Sequence, residues 1–197
     1  MKKWLRIACL TMASLATAVS LTGCNPKVKD AIADDSKTEV GGIDCVTHVI
    51  SGTFTIPLPA DTRVVEDKLN TDILNWIPET DDEHVSMDTN VIRIEVMAAD
   101  DADEADASFE NGFNDLERDG NSYHFENVVE DKIGGHVITS ADQYVTFGSG
   151  KTEDEPRKII DMVVSDGDGD RVYQITIRGW TQEYRDAVMD QIKLVDK

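Results

Sequence analysis

The sequence is poor in basic residues, cysteine, proline and aromatic side chains. Its 197 residues include 39 Asp and Glu but only 19 Lys and Arg, which gives a formal net charge of −20 at pH 7. So acidic a surface repels nucleic acid and anionic lipid headgroups, and we expect neither to bind the folded part of the chain. With only three cysteines, the fold must be stabilised by its core rather than by a framework of disulfides.

The sequence also lacks the short motifs of common catalytic and zinc sites. No G-x-S-x-G nucleophile turn occurs. The histidines show no ligand spacing such as H-E-x-x-H. These are His48, His84, His124 and His136. We therefore expect no zinc site, no other cofactor and no catalytic constellation, although a hydrolytic site spread over distant residues would leave no motif.

One stretch, FGSGKT at Phe147–Thr152, looks like the end of a nucleotide-binding phosphate loop. The full motif needs a glycine five residues before Gly150, where this chain has Val145 in a strand-like segment. It also needs a helix after the lysine, where three acidic residues and Pro156 follow instead. We interpret FGSGKT as a connection between two strands and expect no ATP binding.

A second stretch, SDGDGDR, resembles the beginning of a calcium loop. Asp166, Asp168 and Asp170 occupy its first three ligand positions. Arg171 stands where the loop needs glycine, and Ile177 where it needs glutamate. We interpret the segment as a polar hairpin turn, with a weak cation site as the alternative.

The chain begins with a pattern typical of a secretory signal. Lys2, Lys3 and Arg6 precede an apolar run at 7–21 that is short for a membrane span and rich in small residues. Leu21-Thr22-Gly23-Cys24 resembles the lipobox of bacterial lipoproteins. The resemblance implies cleavage of residues 1–23, lipid attachment at Cys24, and a protein anchored to the cell membrane that faces outside the cytoplasm.

The cysteines and the polar segment after Cys24 suggest how the rest of the chain is organised. Cys9 belongs to the signal and Cys24 to the anchor, so Cys45 is left without a disulfide partner and we interpret it as a small buried hydrophobe. Residues 24–42 are polar, lack aromatics and end in a glycine pair, which predicts a flexible tether. We expect a single domain at 43–197.

Strand patterns dominate this domain. Val91–Ala98 alternates cleanly, whereas 62–79 fits either a helix or two short strands. Further strands are predicted at 47–59, 122–133, 136–147, 157–165 and 171–179, and helices at 100–120 and 181–195, the last with Thr181 as N-cap. The expected fold class is α+β, an antiparallel sheet flanked by helices.

Several of these segments resemble the PsbP-like family. They are GTFTIPLPADTRV, the turn KIGGH, and YQITIRGW followed by a helix and IKLV. That family includes the extrinsic oxygen-evolution protein of photosystem II, a nuclear Ran-binding protein and several bacterial lipoproteins. The resemblance implies an αβα sandwich whose relatives mostly bind or stabilise other proteins, and it fixes no activity.

The sequence therefore predicts a lipid-anchored protein, not an enzyme, that binds or stabilises an unknown protein or envelope ligand. Its membrane contact would be the lipid at Cys24. The alternative is an envelope enzyme or a cation-dependent protein, which a deep pocket with convergent carboxylates would favour.

Overall fold

The computed structural model describes residues 28–66, 72–79, 90–98, 113–165 and 170–195. These residues form twelve strands, one short helix and one 3₁₀ turn. The strands are β1 Asp30–Val40, β2 Ile43–Ile50, β3 Phe54–Pro59, β4 Thr62–Glu66, β5 Ile73–Pro78, β6 Val91–Ala98, β7 Leu116–Arg118, β8 Asn121–Ile133, β9 His136–Thr146, β10 Arg157–Ser165, β11 Asp170–Arg178 and β12 Lys193–Leu194. The helix is α1 Gln182–Ala187, and the 3₁₀ turn is Met189–Gln191.

The strands form two antiparallel sheets. The first has the order β1-β2-β3-β12, and the second has the order β4-β5-β6-β11-β10-β9-β8-β7. Most strands that lie side by side in a sheet also follow one another in sequence, so short turns can connect them. The largest sequence separation between paired strands joins β12 to β3, so the end of the described chain closes the smaller sheet.

One hydrophobic core joins the two sheets. Phe54 of β3 and Tyr173 of β11 meet edge to face with ring centroids 5.3 Å apart. Trp76, Ile92 and Ile160 of the larger sheet belong to the same buried cluster. Because successive side chains of a strand point to opposite faces, the residues between these core positions lie on the other face of the larger sheet, which we call the outer face.

Pairs of residues with positive φ connect several of the strands. Gly41 and Gly42 (φ 54° and 77°) join β1 to β2, and Gly134 and Gly135 (φ 57° and 89°) join β8 to β9. Two-residue hairpins of type I′ need positive φ at both positions, and glycine adopts it at little cost. The Gly134-Gly135 turn and the strands on either side of it confirm the prediction for that part of the chain.

The segment after β11 packs against the smaller sheet. Thr181 caps α1, because its hydroxyl accepts a hydrogen bond from the Tyr184 backbone N–H at 3.3 Å, as predicted. The Tyr184 hydroxyl in turn donates to the Pro57 carbonyl at 3.0 Å. The helix is much shorter than the predicted 181–195, since the 3₁₀ turn and then β12 follow it.

The predicted α+β fold class is wrong. The described residues form two antiparallel sheets with one six-residue helix, rather than a sheet flanked by helices. Within the predicted helix 100–120, residues 113–120 include strand β7 instead, and 100–112 lie outside the described residues. The ambiguous segment 62–79 contains the two short strands β4 and β5.

The predicted flexible tether also needs correction over most of its length. Asp30–Val40 is strand β1, which pairs with β2 from Asp30 opposite Ile50 to Val40 opposite Ile43. The glycine pair that suggested the end of a tether is instead the hairpin turn between these strands. Of the predicted tether, residues 24–27 lie outside the described structure. Val28 and Lys29 lead directly into β1.

Candidate binding site

Three arginines converge in a cavity on the outer face. The cavity has a volume of about 130 Å³. Its described lining is Asn75, Val91, Arg93, Arg157, Thr176 and Arg178. These residues come from β5, β6, β10 and β11, which are adjacent in the sheet, and we call this space the arginine cavity.

The strand register places these side chains together. Arg93 of β6 lies opposite Asn75 of β5 on one side and Thr176 of β11 on the other. Arg178 lies opposite Val91, and Arg157 begins β10 beside the end of β11. With strands about 4.8 Å apart and a rise of about 3.4 Å per residue, the three arginine Cα atoms fall within about 12 Å of one another.

Two of these arginines are held by carboxylates. Glu153 accepts two hydrogen bonds from Arg157, at 2.7 Å from Nε and 2.6 Å from Nη2. Glu95 accepts one from Arg93 Nη2, also at 2.6 Å. Such charge-assisted bonds fix the planes of the guanidinium groups. Arg178 also has an interaction partner.

Asn75 is the most buried polar residue of the arginine cavity. Only 9% of its surface is exposed. Its side chain lines the cavity and adds a carboxamide to the three guanidinium groups. In the described part of the chain, the buried side-chain polar atoms without a hydrogen-bond partner are Trp76 Nε1 and Trp180 Nε1, and the Asn75 amide is not among them.

A second cavity of about 240 Å³ adjoins the first, and Arg178 lines both. The rest of its described lining is Phe147, Lys151, Glu153, Asp154, Glu155 and Gly179. Two of the three carboxylates are already bound to arginines, since Glu153 pairs with Arg157 and Glu155 accepts from Arg185 Nη1 at 2.8 Å. The two cavities therefore combine cationic, anionic and aromatic groups along one surface.

The FGSGKT stretch supplies two residues of this second cavity but is not a phosphate loop. The Phe147 backbone N–H donates to the Lys151 carbonyl at 2.8 Å, and Thr146 and Thr152 form a bridge beyond it. Val145 is buried in strand β9, and the chain after Thr152 leads into β10. The predicted connection between two strands is confirmed.

The core face of the larger sheet carries a separate buried ion pair. Lys158 Nζ lies 2.8 Å from Asp142 Oδ1 and 3.5 Å from Asp186 Oδ1. Nearby, buried Arg185 donates to the Trp180 carbonyl at 2.7 Å as well as to Glu155. These contacts tie α1 to the sheet, so we assign them a structural role.

Two of the described histidines, His48 and His124, contact carboxylates. His48 Nδ1 lies 2.8 Å from Asp30 Oδ1. His124 contacts Asp115 at 2.8 Å through Nδ1 and Glu126 at 3.2 Å through Nε2. Hydrogen bonds to Asp115 and then to Glu126 raise the pKa of His124, and the same bond to His124 lowers the pKa of Asp115. Over the described residues, no group of three or more His, Cys, Asp or Glu is placed to hold a metal ion.

Cys45 is fully buried in β2, as predicted. Burial is the main cause that raises the pKa of its thiol to about 11, and the nearby charges of Asp44 and Asp61 add to it. A backbone hydrogen bond lowers the pKa in part. The thiolate is the nucleophilic form of cysteine. Cys45 is therefore a packing residue and not a nucleophile.

The other predicted site residues lie wholly or partly outside the described structure. Cys24, Asp166 and Asp168 are outside it, as is His84. Asp170 is the first residue of β11 and pairs with Ser165 of β10, so the chain between them does join two antiparallel strands. The weak cation site therefore remains a prediction. In the described ranges, no helix is long and apolar enough to cross a membrane.

The arginine cavity was not predicted from the sequence. The alternation of Val91–Ala98 placed Arg93 and Glu95 on a face away from the core, which the structure confirms. One signal in the sequence could have suggested the cavity. Basic residues are scarce, yet three of the 19 Lys and Arg, namely Arg93, Arg157 and Arg178, lie in predicted strands.

The chain matches no family model and no curated protein sequence. Its structure is similar to the solution structure of cyanobacterial PsbP from Synechocystis sp. PCC 6803, with 10% identity and a TM-score of 0.46 over 85% of this chain and 92% of that one. It is also similar to the Ran-binding protein Mog1p of Saccharomyces cerevisiae, with 13% identity and a TM-score of 0.40 over 86% of this chain and 96% of that one. Neither the identities nor the TM-scores are high enough to transfer a function.

Proposed function

We propose that this chain is a lipid-anchored protein of the outer side of the cell membrane, and that its β domain is a non-catalytic binding or stabilising module. The anchor is supported by the basic start of the chain, the apolar run and the lipobox-like Leu21–Cys24. A diacylglycerol thioether would bring two acyl chains to the membrane, which suffices for stable anchoring.

The binding role is supported by one observation above all, the convergence of Arg93, Arg157 and Arg178 on one cavity of an otherwise acidic chain. Asn75, of which 9% is exposed, lines the same cavity and adds a carboxamide. A ligand with oxygen atoms would accept hydrogen bonds from these groups. The adjoining cavity, with Phe147 and Lys151 in its lining, would extend the contact surface.

The alternative of an envelope hydrolase would use the three carboxylates of the second cavity. Glu153 and Glu155, however, are each bound to an arginine, at 2.6 Å and 2.8 Å. Oxygens of both carboxylates are thus already engaged in charge-assisted hydrogen bonds. The arrangement suits recognition better than proton transfer.

The anchor can be tested by metabolic labelling with a fatty-acid analogue. We expect the wild-type protein to carry the label and Cys24→Ala to lose it, while Cys45→Ala, a change at the other cysteine of the processed chain, keeps it. Label retained in Cys24→Ala would exclude lipidation at this residue.

The binding role can be tested by native mass spectrometry of the protein purified gently from its own membranes. We expect a noncovalently bound ligand on the wild type that is absent from Thr176→Val, a change that removes one hydroxyl and keeps the side-chain shape. A wild-type protein that carries no ligand, or carries it equally in Thr176→Val, would contradict a binding role for the arginine cavity.

A further inference from the structure

We propose that the arginine cavity binds an oxyanion group, namely the phosphate, sulfate or carboxylate group of a small ligand. This inference rests on the proposed binding function and adds the chemical class of the ligand. Its basis is the convergence of three arginines with two neutral polar side chains, Asn75 and Thr176, in one recess of an otherwise acidic protein.

The charge of the cavity is opposite to that of the chain. Acidic residues outnumber basic ones by 39 to 19 in the whole sequence, yet the described lining of the arginine cavity holds three arginines and no acidic residue. Like charges on neighbouring strands repel one another. A bound anion would accept hydrogen bonds from these groups in addition to the contacts of Arg93 with Glu95 and of Arg157 with Glu153.

The guanidinium groups keep donors for such an anion. Each has five N–H groups in a planar fork that fits two oxygens of a carboxylate or phosphate. Arg93 uses only Nη2 toward Glu95, and Arg157 uses Nε and Nη2 toward Glu153. Among the described residues, Arg93 and Arg157 therefore retain further N–H groups that donate to no acceptor. The carboxylates of Glu95 and Glu153 hold the two guanidinium groups in position.

Neutral groups complete the set. Asn75 contributes a buried carboxamide with two N–H donors, and Thr176 contributes a hydroxyl. Both lie opposite Arg93, one on each neighbouring strand. An oxyanion in the cavity would accept from charged and neutral donors that come from four adjacent strands of the larger sheet.

The size of the cavity suits such a group. A volume of about 130 Å³ is ample for one phosphate, sulfate or carboxylate group. The remainder of a ligand would extend past Arg178 into the adjoining cavity of about 240 Å³.

The test measures thermal unfolding of the full folded protein with sodium phosphate, sulfate, acetate or chloride at matched ionic strength and pH 7. At ten times its dissociation constant, a bound oxyanion should raise Tm by about 3 to 6 °C in a saturable way. Chloride, which screens charge but offers no oxygens, should give only the general effect of salt on an acidic chain. Comparing the three oxyanions identifies the preferred chemistry.

Two variants with equal charge provide the control. Asn75→Asp places a carboxylate in the arginine cavity and should weaken oxyanion binding at least tenfold. Asn121→Asp adds the same charge elsewhere and keeps the oxygen that accepts the Gly148 backbone N–H, so binding should stay unchanged. The proposal is overturned if all four salts stabilise the protein alike, or if Asn75→Asp responds like wild type. Sulfate also stabilises proteins because it is excluded from their surface, but that effect does not saturate.

The outcome can be separated from that of the proposed function. If no oxyanion binds in a saturable way, but a native ligand is lost in Thr176→Val, then the binding role stands and the oxyanion assignment is wrong. If neither effect is seen, both proposals are wrong.

Discussion

Lys158 and Asp142 form a buried ion pair between β10 and β9, with Nζ and Oδ1 2.8 Å apart and only 9% of the lysine side chain exposed. Removing one partner of such a pair leaves an uncompensated charge, which costs about 3 to 5 kcal/mol. We therefore expect Asp142→Ala to lower the free energy of unfolding by about 3 kcal/mol, because Asp186 at 3.5 Å is more exposed and compensates only in part.

The double variant Lys158→Met, Asp142→Leu should recover most of that loss, because apolar side chains of similar size need no hydration. Urea unfolding of wild type, both single variants and the double variant measures the coupling. Additive losses would show that the two side chains do not stabilise each other.

Gly41 meets the backbone of the C-terminal helix. A Cβ atom at this position would overlap the Glu183 carbonyl carbon and the Tyr184 nitrogen. Gly42, its neighbour in the same turn, has nothing within 4 Å of its own Cβ position. Both have positive φ, so alanine costs each about 1 to 2 kcal/mol in backbone strain.

Gly41→Ala should therefore be less stable than Gly42→Ala by at least about 2 kcal/mol, since it must also push β1 and α1 apart. Chemical denaturation of the two variants, which differ only in the position of one methyl group, measures this difference. Equal stabilities would mean that the turn and the helix do not pack as the structure has them.

His124 and Asp115 form an exposed pair whose effect depends on pH. The pKa of His124 is raised in the folded state, so its contribution to stability is present below the unfolded pKa and is lost as pH rises through the folded value. The pKa of Asp115 is lowered, so its contribution is lost as pH falls through its folded value. The pair stabilises the fold between these two limits.

NMR titration of the His124 ring measures the first of these shifts. Asp115→Asn should lower the pKa of His124 toward its ordinary value, because the first cause of the shift is removed. Glu117→Gln removes the same charge from a nearby position and should leave the pKa of His124 raised. A His124 pKa that is the same in wild type and Asp115→Asn would contradict the contact.

Cys45 should react slowly with thiol reagents in the folded protein. Its side chain is inaccessible and its thiol has a pKa of about 11, so little thiolate is present at pH 8. The rate with iodoacetamide, measured on protein that lacks residues 1–24, should rise by orders of magnitude in denaturant. Rapid labelling under native conditions would show that β2 opens readily or that Cys45 is not buried.

The glycine pairs explain much of what the sequence did and did not predict about the fold. Gly134-Gly135 lies between two recognisable strands and was correctly interpreted as a hairpin turn. Gly41-Gly42 has the same conformation, but the polar sequence before it concealed β1. Asp119-Gly120, also with positive φ at both positions, joins β7 to β8, whereas the sequence predicts a helix that ends at residue 120.

The site was harder to predict than the fold, for a physical reason. Strand alternation correctly places Arg93 away from the core, but it does not tell which strands lie side by side. The order β5-β6-β11-β10 brings Asn75, Arg93 and Arg157 together from segments far apart in sequence. Such a cluster depends on long-range register, whereas turns and strands depend on a few neighbouring residues.

Strand β7 covers only Asn121–Tyr123 of the thirteen residues of β8. Among the described residues, the rest of that strand has no further neighbour on this side, so a row of backbone donors and acceptors is open to another chain. Glu130 and Asp131, together with the bulge between Glu126 and Val129, protect this edge, because charges and irregular backbone prevent strand addition. Acidification neutralises those carboxylates and leaves Val128 and Val129 exposed, so it should promote strand pairing between molecules at this edge.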